Sequence, residues 1–135
     1  MILKLRVVSS NSEIEALKEN EQMVHLIFRA SNADVVRLVQ NCPQIKAVSV
    51  PSIHRKFLSK SSELFLMMQG VELIEGDVWG HRKDINEYYT IDDVVLRKIG
   101  WLRAKGANEK EIVNAVSQET QLSPELVKYL IKEYS

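Results

Sequence analysis

The sequence predicts an α/β fold: a four-stranded parallel sheet with crossover helices over residues 1–80, a connecting segment over 81–90 and a three-helix module over 91–135. Three observations point there. Short runs of branched side chains alternate with helical runs through the first part of the chain, the rhythm of βαβ units. Beyond residue 90 the strand signal stops, and apolar residues recur only at helical spacing. A chain of 135 residues can bury roughly two thirds of its unfolded surface, so its core needs neither a disulfide nor a metal staple.

Ile2 to Val8 reads as the first strand. Ser12 and Glu15 have capping-box spacing and open a short helix with Ile14 and Leu17 on one face. Met23 to Arg29 is the second strand. Ser31 or Asn32 then caps a helix carrying Val35, Leu38, Val39 and Cys42, which Pro43 stops. Ile45 to Val50 is the third strand, ended by Pro51. A longer helix is expected from Ile53 to Gln69, with Phe57, Leu58, Leu64, Phe65 and Met68 inward and Gly70 as a left-handed cap. Val71 to Val78 is the fourth strand. In the tail, Thr90 with Asp93 and Asn108 with Glu111 have capping-box spacing. Ser123 caps a last helix with Pro124 at its first position, and Leu126 or Val127, Leu130, Ile131 and Tyr134 face inward.

Parallel crossovers are right-handed, which leaves two arrangements open: helices on both faces, or all on one face in chain order. The stretch from Leu38 to Pro51 resembles one turn of a leucine-rich repeat, which keeps the one-sided arrangement open beside the other.

Charge and composition exclude several classes. Eighteen basic residues balance eighteen acidic ones, which argues against a protein built to coat nucleic acid or an anionic membrane. The longest apolar run, Leu64 to Met68, is too short to span a bilayer. The start MILKLRVVSS lacks a secretory cleavage pattern. A single cysteine allows no internal disulfide and suits a reducing interior, so a cytoplasmic setting is expected.

The tripeptide His-Arg-Lys occurs at 54–56 and again at 81–83, each just past an inferred strand. In a parallel sheet all strand ends emerge at one edge, where ligands of open α/β sheets bind and helix N-termini favour anions. Arg29, His54, Arg55, His81 and Arg82 are therefore candidates for holding an anionic small molecule, with Trp79 walling or stacking on it. The alternative is a solvated sheet edge, with Trp79, Tyr88 and Tyr89 as an aromatic plug between sheet and helices. Catalysis is weakly supported. Asp77 with His81 is the best acid–base pair, and no nucleophile signature or nucleotide fingerprint appears. The histidines at 25, 54 and 81 lack metal-ligand spacing, so no metal or cofactor is expected. Cys42 reads as an inert core residue, and His25 as a hydrogen-bonded strand residue.

The tail from Glu111 to Ile131 resembles a helix-turn-helix, with a short turn at Gln121 and Leu122. On its second helix Lys128 and Lys132 lie one turn apart, beside Tyr129, and would contact DNA. From Thr90 to Ser135 seven basic residues balance seven acidic ones, and no arginine stands on that helix. A structural or protein-contact module is the competing reading.

The opening MILKLRVVSSNSEIEAL (1–17) and the stretch EGDVWGHRKDINEYYTIDD (75–93) resemble a small family of uncharacterised archaeal proteins, known mainly from methanogens. The resemblance implies a cytoplasmic archaeal protein and assigns no activity, cofactor, partner or functional residue.

Overall fold

The computed structural model describes residues 3–76, 87–120 and 122–134. Its centre is a five-stranded sheet in the order β4-β3-β2-β1-β5. Strands β1 (Leu3–Val8), β2 (Met23–Leu26), β3 (Ala47–Val50) and β4 (Glu72–Glu75) run parallel. The fifth strand, β5 (Tyr88–Ile91), pairs antiparallel with β1, setting Leu3 opposite Ile91 and Arg6 opposite Tyr88. This corrects the expected four-strand count and the reading of 81–90 as mere connection. Tyr-Tyr-Thr-Ile suits a pleated, half-buried surface, but four residues beside a polar stretch carry too little alternation to announce a strand.

Because successive parallel strands are neighbours in chain order, right-handed crossovers deliver every connecting helix to the same face. That face holds a 3-10 turn (Asn11–Ala16), α1 (Asn32–Asn41), α2 (Ser52–Arg55) and α3 (Lys60–Met68). Val8, Val24, Leu26, Val48 and Val50 meet Ile14, Val35, Leu38 and Leu66 there. The opposite face is covered by α4 (Asp93–Ala104), α5 (Glu109–Thr120) and α6 (Pro124–Tyr134). Leu3, Leu5, Met23, Ala47 and Ile74 pack with Ile99, Ile112, Val116 and Leu130 into one core. Strand alternation sends adjacent residues to opposite faces, so one sheet supplies two cores. The crossovers are thus one-sided, while the sheet is covered on both sides.

Local capping explains most helix starts. Ser31 and Asp34 form a reciprocal box at α1, and Asn108 with Glu111 do so at α5. Ser123 Oγ accepts from Leu126 N at α6, 3.2 Å away. Two expectations are corrected. Glu13, not Glu15, accepts from Ser9 N and Oγ at the first turn, and Asp92, not Thr90, caps α4 by accepting from Val94 N. Thr90 is engaged in β5.

The single helix expected over 53–69 is two helices. Ser59 accepts from Ser62 N and caps α3, and the hydroxyls of Ser59 and Ser62 both donate to Asn32 Oδ1 at 2.5 and 2.7 Å. That break resets the helical phase. Leu58 and Leu66 are buried, whereas Phe57, Leu64 and Met68, expected inward, are exposed along with Ile53 and Met67.

Candidate nucleic-acid interface

Helix α5 ends at Thr120 and α6 begins at Pro124. Both starts are fixed by side-chain caps, which satisfy backbone N–H groups that a helix leaves free. Lys128 and Lys132 are exposed on α6, but the helix is wedged between its two helical neighbours and the sheet, which buries a wide arc. Leu126, Val127, Tyr129, Leu130 and Ile131 are all buried. Tyr129, expected beside the lysines on the outer face, is only 5% exposed and belongs to the core. It packs edge-on against Tyr134, with ring centroids 6.3 Å apart.

The outward positions of α6 are tied to the sheet edge. Glu125 Oε2 accepts from Glu75 N at 2.5 Å, and Lys132 pairs with Glu72. The free edge of β4 would otherwise offer an unpaired donor at this point. The groove beside it is lined by Glu72, Glu109, Glu125, Lys128 and Lys132. The stripe that would enter a major groove thus lies in an acidic surround.

The sheet-end residues are placed separately. Arg29 is exposed, and its guanidinium lies 4.4 Å from the Phe57 ring centroid. Arg55 is half-buried and paired with Glu63 of α3, and His54 is half-buried on α2. Arg29 and His54 follow neighbouring parallel strands, but the two arginines are engaged with different partners. Trp79, His81 and Arg82, and with them Asp77, lie outside the described residues.

Two expected structural roles hold. His25 is fully buried in β2, its Nδ1 2.8 Å from Ser49 Oγ on β3. The Cys42 thiol is buried, donates to the Lys18 carbonyl at 3.4 Å and is pushed up to about 11, chiefly by desolvation.

A polar cluster escaped sequence reasoning. Arg6, 5% exposed in β1, lies within 3.9 Å of Glu13, 3.8 Å of Glu21 and 3.6 Å of Glu87. Tyr88 donates to Glu21 at 2.7 Å, and Lys4 sits 4.3 Å over the Tyr88 ring. The carboxylates come from positions 13, 21 and 87, so no local spacing advertises the cluster; Arg6 sharing Val8's strand parity was the one available sign. A buried guanidinium is tolerated only with such compensation. Among the described residues no group of three metal-ligating side chains occurs, and no helix is long and apolar enough to cross a membrane.

Fold and helical tail define a three-layer α/β protein ending in three helices. The chain belongs to DUF1699, a family of unknown function. Residues 4–87 match its N-terminal domain, and residues 94–132 match the part described as the DUF1699 C-terminal HTH domain. No curated protein and no solved structure matches the chain.

Proposed function

We propose that the protein is a cytoplasmic, non-enzymatic regulator that contacts nucleic acid through its C-terminal helices, which the sheet holds in place. The observation that carries this reading is the helix-turn-helix match over 94–132, together with two side-chain-capped helices joined across 121–123. The buried, reduced Cys42 favours a reducing compartment and serves the core rather than chemistry. An anionic small ligand at the sheet edge has less support, because Arg55 is already paired with Glu63. Overall neutrality suits a localised contact, not a coat.

The test is fluorescence anisotropy of labelled oligonucleotides with the full chain at rising salt. Binding should fall linearly on a log–log plot as counterions are released. Absence of binding at low salt to any DNA or RNA strand or duplex overturns the proposal.

A further inference from the structure

We infer that the nucleic acid is a single strand held on the outward face of α4 rather than on α6, with phosphates on Arg97 and Lys105 and a base stacked on Trp101. This deepens the reading above and rests on it. Val95 and Ile99 of α4 are buried, so helical geometry turns Val94, Arg97, Trp101 and Lys105 to the other side. Trp101 is 55% exposed and Val94 54%. They are the only large apolar side chains left exposed on this side of the sheet among the described residues.

Residues 97–105, RKIGWLRAK, hold four cations and no carboxylate. Two of the four are engaged: Lys98 pairs with Glu119, and Arg103 reaches the Ile131 carbonyl at 3.4 Å. Arg97 has no carboxylate partner among the described residues, and Lys105 lies 4.1 Å over the Trp101 ring. An exposed indole beside two available cations joins a stacking platform to phosphate contacts. Eight residues separate the cations, roughly 12 Å along the axis, so they can touch different phosphates of one strand.

Gly100 adds a separate sign. Glycine weakens a helix interior, and here a Cβ would meet nothing within 4 Å, so packing within the chain does not call for it. With exposed Ala104 one turn on, it leaves the backbone open to close approach from outside. A second copy of the chain fits poorly, because a two-fold contact would set Arg97 and Lys105 among their own symmetry mates. An acidic peptide would answer the cations but offers the indole no planar partner. A duplex keeps its bases stacked, whereas a single strand exposes them. On α6, by contrast, the exposed lysines face Glu72, Glu109 and Glu125.

The experiment compares four proteins on a labelled oligothymidylate of about 12 nucleotides: the parent, Arg97→Glu/Lys105→Glu, Trp101→Ala and Lys128→Glu. The double variant should bind weakly, with a log–log salt slope shallower by roughly 1.4. Trp101→Ala should lose at least about fivefold in affinity, and Trp101→Phe should recover part of it. Lys128→Glu should bind like the parent. With Trp79→Phe leaving Trp101 as the sole indole, the strand should quench its fluorescence. Circular dichroism confirms folding of each variant. If Lys128→Glu abolishes binding while the α4 variants retain it, or if only duplex binds, the α4 assignment is overturned and the proposed function stands. If the parent binds no nucleic acid, both fall.

Discussion

On the crossover face, α1 and α3 are delivered to the sheet by the chain itself, each flanked by the two parallel strands it joins. On the opposite face, α4–α6 arrive together after β5 and hold the sheet through side chains alone. The crossover layer is laced with polar contacts: Asn32 with Ser59 and Ser62, and Arg37 with Glu15 at 2.9 Å. It nevertheless leaves Ile53, Phe57, Leu64, Met67 and Met68 exposed. The C-terminal layer leaves a cationic stripe on α4. Connectivity therefore secures one layer, while the other depends on packing and on a few ties at the β4 edge.

The largest expected effects come from emptying each core. Leu38 of α1 and Leu130 of α6 are both fully buried, so either Leu→Ala change should cost about 2–5 kcal/mol. Since both layers share one sheet, each variant should still unfold in urea as a single transition at a lower midpoint. A separate early transition of α4–α6 in Leu130→Ala, with the sheet still folded, would show that the second layer is only loosely coupled to the first.

A smaller change probes the tie itself. A Cβ on Gly76, just past β4, would come within 2.4 Å of Ser123 Cβ and 2.2 Å of its Oγ. Ser123 also caps α6, so it cannot move away freely. Gly76→Ala should cost about 1–3 kcal/mol by overpacking, and Gly76→Ala combined with Ser123→Gly should recover part of that loss. A melting temperature unchanged by Gly76→Ala would mean that the β4 end and the α6 start do not meet as closely as the structure places them.

The same contrast explains what could be read in advance. Features fixed within a few residues were legible: the Asn108–Glu111 box, Ser123 before Pro124, and the left-handed Gly70 at φ 74°. Features that depend on remote partners were not. Tyr88–Ile91 is a strand because β1 offers it an edge, and Arg6 is buried because three distant carboxylates surround it. The break at Ser59 depends on Asn32, 27 residues earlier. Tyr129 was misplaced for a related reason, since α6 touches both sheet and helices and hides more of its circumference than a one-sided amphipathic helix does. The cations of α4 stand together in RKIGWLRAK, but which of them are engaged depends on Glu119 and Ile131, further along the chain.

The smallest effect separates the two faces by pH. Tyr88 lies on the crossover face, pushed up to about 12 by burial first and then by its hydrogen bond to Glu21. Tyr129, in the C-terminal core, is raised further, again chiefly by burial. In both cases the folded protein holds the phenol proton more tightly than the unfolded chain, whose tyrosines titrate near 10. Below pH 10 both states keep the proton and the contribution is whole. As pH rises towards 12 the unfolded chain alone gives it up, so stability must fall. Tyr88→Phe should therefore flatten the loss between pH 10 and 12, and Tyr129→Phe should flatten it over that window and beyond it. Urea midpoints followed against pH, with tyrosinate absorbance, give the comparison. If Tyr88→Phe leaves the profile between pH 10 and 12 as steep as in the parent, the Glu21–Tyr88 contact does not hold that proton in solution, and the polar cluster around Arg6 is looser than its distances imply.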